Sequence, residues 1–117
     1  MSFLRRWFWP RSARSDALAL YKEGMACAAN EDSKGAMLAY AQAIERHDSP
    51  NDIKAMALYN RALLLATGGK TERALADLQA VMEMSIPLHG VKLAAKRRLE
   101  RLEKRRDAAL RPNPRTR

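Results

Sequence analysis

One spacing of small and large residues occurs twice in the sequence, and it limits the fold more than any other feature. In each copy a small residue is followed after twelve positions by Ala, after four more by a large apolar residue, and after three more by a smaller one. The two copies consist of Gly24, Ala36, Tyr40 and Ala43, and of Ala62, Ala74, Leu78 and Val81. Small residues at these intervals let two antiparallel helices approach closely, so the sequence predicts two helix pairs.

The composition also favours helix over strand. Hydrophobic residues make up 47% of the 117 residues, and they are mainly Ala, Leu and Met rather than the β-branched types that strands prefer. Apolar residues near the helical period predict four helices that are capped by Ser15 or Asp16, Ser33, Asp52 and Thr71, and a fifth at about 90–110. The first should begin at Ala17, and Gly68 and Gly69 should end the third. We therefore predict an all-α chain of antiparallel helix pairs.

The repeated spacing resembles the tetratricopeptide repeat (TPR), in which a large residue precedes the small one by four positions; here Leu20 and Leu58 supply it. The first copy departs from that family in having Cys27 where a large residue is usual. The two copies are also 38 residues apart, whereas the usual repeat is about 34. The resemblance implies a domain at 16–110, a short right-handed array of about five helices with repeats at 16–49 and 52–86 and a capping helix at 90–110.

Two repeats are fewer than the three that such arrays usually need to bury their faces. The fifth helix would therefore cap the array, or a second copy of the chain would complete the core as a homodimer. In this family the first helix of each pair forms a surface that receives a peptide or helix of a partner. The residues on that surface would be Leu18, Tyr21, Met25, Met56, Tyr59, Asn60 and Leu63.

Tyrosine and methionine side chains make such a surface apolar and adaptable, which suits the hydrophobic side chains of a partner. The alternative is that the fifth helix or the N-terminal segment covers it. Some family members hold a partner's C-terminal carboxylate with a clamp of Lys, Asn and Arg residues. Only Asn60 falls on a clamp position, while Tyr21 and Met25 occupy two others, so a carboxylate clamp is not expected.

Residues 1–15 form a basic and aromatic N-terminal segment with a charge of +4 and no acid. Its candidate anchor consists of Phe3, Leu4, Arg5, Arg6, Trp7, Phe8 and Trp9. As a helix this segment would place its apolar side chains on one face, an arrangement typical of an interfacial anchor. Three destinations suit it: an anionic membrane surface, a protein partner, or the protein's own core. An Arg- and Ser-rich start also resembles an organelle transit peptide.

The C-terminal part, residues 91–117, carries eleven Lys or Arg against three acids. On the fifth helix the cations away from the apolar stripe are Lys92, Lys96, Arg97, Arg101, Lys104 and Arg105. Such a face can bind phosphates of RNA or of an anionic membrane without reading sequence, in a salt-dependent way. The alternative is a solvated capping face. Residues 111–117 are predicted to be a disordered basic tail.

Nothing in the sequence groups residues into a catalytic or metal-binding set. His47 and His89 are expected in separate loops, and the single Cys27 is expected to be a small packing residue in a reducing compartment. We therefore expect no metal, no cofactor and no enzymatic activity. The sequence predicts a cytoplasmic protein, peripheral at a membrane if the N-terminal segment binds lipid.

The predicted function is a non-catalytic protein–protein interaction module, an adaptor, scaffold or assembly factor that binds a peptide or helix of a partner protein. The alternative is a nucleic-acid or ribosome-associated protein that uses the basic fifth helix to bind phosphates.

Overall fold

The computed structural model of the chain describes residues 12–85 and 89–112. This part contains five α-helices and no strand: α1 Ala13–Ala29, α2 Ser33–Glu45, α3 Asn51–Thr67, α4 Thr71–Glu83 and α5 His89–Leu110. The prediction of an all-α fold of about five helices is confirmed. The candidate anchor at 3–9 lies outside the described residues, as do residues 113–117 of the predicted tail.

The first helix begins four residues earlier than predicted. The Ser12 hydroxyl accepts a hydrogen bond from the backbone N–H of Ser15 at 3.0 Å, and this N-cap starts α1 at Ala13. The predicted caps Ser15 and Asp16 therefore lie inside the first turn. The last three residues of the predicted segment 1–15 therefore belong to α1.

The caps of the next three helices also differ from those predicted. Asp32 rather than Ser33 caps α2, and its carboxylate accepts from the N–H of Gly35 at 2.9 Å. Neither α3 nor α4 has a side-chain cap, and the predicted caps Asp52 and Thr71 both lie within the first turn. His89 is the first residue of α5 rather than a loop residue.

The end of α3 follows the prediction from its two glycines. The backbone N–H of Gly68 donates to the carbonyl of Leu64, and Gly69 follows with a φ of 77°. That left-handed conformation strains most other residues, so glycine at this position permits the short turn into α4.

Two ion pairs at one end of the molecule show how the first three helices are oriented. Arg46, which follows the end of α2, lies 3.5 Å from Asp16 in the first turn of α1, so these two helices are antiparallel. Arg14 in the first turn of α1 lies 2.7 Å from Asp52 in the first turn of α3. The helices α1 and α3 are therefore parallel neighbours.

The fifth helix packs mainly on α4 and to a lesser extent on α3. Arg106 near its C-terminal end lies 3.5 Å from Glu72 at the start of α4, so α4 and α5 are antiparallel. Ala95 and Leu102 of α5 are buried in a hydrophobic cluster with residues of α3 and α4. The helix α5 thus covers the second pair, at the position predicted for a capping helix.

All eight residues of the repeated spacing are buried. Tyr40, with Ala36 and Ala43 beside it, belongs to a smaller cluster that includes Ala57 of α3. Leu78 belongs to the larger cluster formed by α3, α4 and α5. The repeated spacing therefore marks the contacts within and between the helix pairs, as its packing interpretation predicted.

Candidate binding face of α1 and α3

The structure brings the predicted partner-binding residues together on two parallel helices. We call their common surface the α1–α3 face, consisting of Leu18, Tyr21, Met25, Met56, Tyr59, Asn60 and Leu63. Six of these side chains are half-buried, and Met25 is 47% exposed. The helix α5 does not contact α1, so it does not cover the α1 half of this face.

A hydrogen bond across the α1–α3 face fixes the two helices relative to each other. The side-chain nitrogen of Asn60 donates to the Tyr21 hydroxyl at 2.8 Å and to the backbone carbonyl of Met56 at 3.1 Å. Both amide hydrogens of Asn60 are therefore used. Its carbonyl oxygen and the proton of the Tyr21 hydroxyl have no partner within the part of the chain that is described. The pair thus offers one acceptor and one donor at the middle of the face.

The two tyrosines of the face also support the core. The ring of Tyr21 lies 6.1 Å from that of Tyr40, centroid to centroid, and packs against the smaller hydrophobic cluster. Tyr59 packs against the larger one. The apolar area left for a partner therefore comes mainly from the side chains of Leu18, Met25, Met56 and Leu63.

The structure divides the six cations predicted on the fifth helix. Because α5 turns about 100° per residue, Arg97, Arg101, Lys104 and Arg105 share one side of it, which we call the basic stripe. All four are exposed, and none forms an ion pair within 12–85 and 89–112. Lys92 lies on the far side of the helix, and the exposed acid Glu100 lies between Lys96 and Lys104, at the edge of the stripe. Four of the six predicted cations therefore share one exposed side of α5.

A charged pair that the sequence analysis did not single out joins α3 to α4. Both nitrogens of the Arg61 fork donate to the Asp77 carboxylate, at 2.7 and 2.8 Å, and the side chains are only 19% and 10% exposed. Hydrogen bonding to Asp77 raises the pKa of Arg61, although burial opposes this. Asp77 is an acid among the apolar residues of α4. This break in the apolar pattern is the sequence feature that could have indicated the pair.

A cleft of about 480 Å³ lies at one end of the helices, where α2 begins, α3 ends and α4 begins. Apolar side chains of Met37, Leu64 and Leu65 line it together with the cations Lys34, Lys70 and Arg73. It is separate from the α1–α3 face and was not predicted from the sequence. Its lining comes from the ends of three helices, which no local pattern connects.

Among the described residues, no group of three or more His, Cys, Asp or Glu side chains could hold a metal ion. No helix in those ranges has the length and apolar character needed to cross a membrane. Comparison with known protein families, with curated proteins and with solved structures finds no match to the chain.

Proposed function

We propose that this protein is a short, non-catalytic helical-repeat module of the TPR type that holds a peptide or helix of a partner protein on its α1–α3 face. The observation that carries the proposal is the hydrogen bond between Asn60 and Tyr21, which holds two parallel helices side by side. Parallel helices joined in this way present a continuous shallow surface rather than two separate ones.

The chemistry of the face supports peptide binding. The flexible thioethers of Met25 and Met56 can adapt to different apolar side chains. Between them, the carbonyl oxygen of Asn60 can accept from a backbone N–H of a peptide, and the Tyr21 hydroxyl can donate to a backbone carbonyl. Apolar contacts would supply affinity, and the polar pair would orient the bound chain.

Met25→Glu is the sharpest test of this proposal. The side chain is 47% exposed, so a carboxylate there remains solvated and the fold is retained, whereas truncating Tyr21 or Tyr59 would also damage the core. Leu38→Glu is the matched control, because Leu38 is 61% exposed on α2, outside the face. Tagged variants are expressed in cells that make the protein, and partners are quantified by mass spectrometry after purification.

Met25→Glu should reduce recovery of the specific partners by about tenfold, because burying an unpaired carboxylate opposes binding. Leu38→Glu should leave recovery unchanged, and circular dichroism should show equal helix content for both variants. Equal recovery of every partner with Met25→Glu and with the unaltered protein would rule out the α1–α3 face as the binding site.

A second candidate function rests on the basic stripe of α5. Arg97, Arg101 and Arg105 are spaced four residues apart, and Lys104 lies beside them, so the four exposed cations form one strip of positive charge. This arrangement supports binding of nucleic-acid phosphates without base recognition. Such binding should weaken as the salt concentration rises.

A further inference from the structure

The cleft at the ends of α2, α3 and α4 combines an apolar floor with a positively charged rim, and we call it the basic cleft. Its floor consists of Met37, Leu64 and Leu65, and its rim of Lys34, Lys70 and Arg73. At about 480 Å³ it falls within the size range of binding pockets for small molecules or single large side chains. Its shape and lining suit a ligand with an apolar part.

The charge of the basic cleft restricts the ligand further. None of the residues that line it is acidic. Lys34, Lys70 and Arg73 are all exposed, and within the described ranges none of them forms an ion pair. No ion pair within those ranges therefore neutralises the rim, and its positive charge attracts anionic groups around the apolar floor.

Charge also argues against the two ends of this chain as the occupant. Residues 1–15 carry +4, and residues 91–117 carry eleven Lys or Arg against three acids, so both ends would be repelled by the rim. The same holds for the ends of a second copy. Three cations, placed at the starts of two different helices, also exceed what a single carboxylate can engage. A ligand with several acidic groups around one apolar group fits best.

We propose that the basic cleft binds an acidic peptide segment of a partner protein. One large apolar side chain of that segment lies against Met37, Leu64 and Leu65, and the carboxylates on either side of it pair with Lys34, Lys70 and Arg73. This interaction surface is additional to the α1–α3 face and does not depend on it.

A labelled model peptide tests the proposal directly. The probe is a fluorescein-labelled peptide with a single phenylalanine between two pairs of glutamates, and its binding to the full chain is followed by fluorescence anisotropy at low salt. Lys34→Glu and Arg73→Glu should each weaken binding by about tenfold, because each places a like charge beside the ligand carboxylates. Lys22→Glu is the matched control on the exposed surface of α1 and should leave the affinity unchanged.

A second peptide, with glycine in place of phenylalanine, tests the apolar floor. It should bind at least about tenfold more weakly, because one buried aromatic side chain contributes more than about 1.4 kcal/mol. Amide NMR shifts caused by the phenylalanine peptide should be concentrated at Lys34, Leu64 and Gly68. These three residues mark the start of α2 and the end of α3.

Several results would overturn the proposal. These are no saturable binding of the phenylalanine peptide, equal binding of the glycine peptide, or an equal loss of affinity with Lys22→Glu and Lys34→Glu. Binding of dodecanoate at the same amides, without binding of the peptide, would assign the cleft to a small amphiphile instead. Met25→Glu should not change the affinity for the peptide, so this outcome is distinguishable from failure of the α1–α3 face.

Discussion

The ring of Tyr40 occupies the space that any side chain at Gly24 would need. A Cβ atom built on Gly24 would lie 2.5 Å from Cδ1 and 3.0 Å from Cζ of Tyr40, far inside van der Waals contact. Tyr40 is only 2% exposed and packs within the smaller hydrophobic cluster, where its ring lies 6.1 Å from that of Tyr21. The glycine in the middle of α1 therefore allows α2 to approach closely enough to bury a tyrosine.

Gly24→Ala should destabilise the protein by about 2 kcal/mol. Alanine favours helix over glycine by about 1 kcal/mol, but forcing a methyl group into a packed core costs about 1–3 kcal/mol, and the buried ring places this site at the upper end. The control is Gly90→Ala in α5, where no atom of the described residues lies within 4 Å of the added carbon. Urea unfolding should show a loss for Gly24→Ala and a small gain for Gly90→Ala. A gain for both would contradict this account.

The sequence was sufficient to predict the close contact at Gly24, because small residues at a fixed spacing are a local signal of helix packing. The helix caps were predicted wrongly, although both observed side-chain caps, Ser12 and Asp32, are local and accept from an N–H three residues further on. The carboxylate of Asp52, predicted to cap α3, instead accepts both hydrogen bonds from the Arg14 side chain. Arg14 lies in the first turn of α1, and this helix begins before Ala17, the predicted first residue. This ion pair joins residues 38 apart, and no local pattern contains it.

The candidate site could also be predicted only in part. Its residues follow a local spacing, but the hydrogen bond between them depends on how two helices pack. The repeat resemblance assigned Tyr21 and Asn60 to one surface, which the structure assembles. The hydrogen bond between them depends on the register of α1 against α3, which spacing alone does not determine. The division of the basic residues of α5 could have been predicted, because the helical period already separates Lys92 from Arg101.

Removing one partner of the pair between Arg61 and Asp77 should be strongly destabilising. Asp77→Ala leaves the mostly buried guanidinium of Arg61 without its counter-ion, and we expect a loss of about 3 kcal/mol in the free energy of unfolding. The double variant Arg61→Met with Asp77→Leu should recover most of that loss, since no unpaired charge remains. Chemical denaturation of the unaltered protein, the single variant and the double variant measures both effects. If the double variant were as unstable as the single one, loss of packing rather than an unpaired charge would be the cause.

Tyr21→Phe should cost about 1 kcal/mol, the usual contribution of one hydrogen bond, because the side-chain nitrogen of Asn60 loses an acceptor. Tyr59→Phe is the matched control, since the hydroxyl of Tyr59 makes no hydrogen bond to any described residue. Thermal unfolding gives the stabilities, and NMR of the Asn60 side-chain amide reports the local change. We expect this resonance to move in Tyr21→Phe and to stay in place in Tyr59→Phe. The opposite pattern would show that the bond does not form in solution.

If the basic stripe binds RNA, the salt dependence of the binding constant should reflect how many of its cations contact phosphates. On single strands each neutralised phosphate contributes about 0.7 to the slope of log K against log salt concentration. Replacing all four residues Arg97, Arg101, Lys104 and Arg105 by Gln should therefore reduce the slope by about 3. Lys92→Gln with Lys96→Gln should change it much less. Binding that is indifferent to salt, or equally sensitive to both sets of substitutions, would exclude the stripe as the RNA site.

The thiol of Cys27 should react slowly in the folded protein. Burial raises the pKa of the Cys27 thiol, and the nearby negative charges of Asp32 and Glu23 raise it further. Because the thiolate is the reactive form, the rate of alkylation by iodoacetamide should rise at higher pH in the folded protein than in urea. Glu23→Gln should move the folded profile part of the way back, since it removes one of the opposing charges.

The raised pKa of Cys27 also predicts that the stability of the protein falls as the pH becomes alkaline. The folded state holds the thiol proton more tightly than the unfolded state, so this contribution is complete below the unfolded pKa and is lost as pH rises through the folded pKa. Unfolding by urea at increasing alkaline pH should show a decline that Cys27→Ser reduces. Identical alkylation profiles for folded and unfolded protein would mean that Cys27 is exposed to water, and the pH effect on stability should then be absent as well.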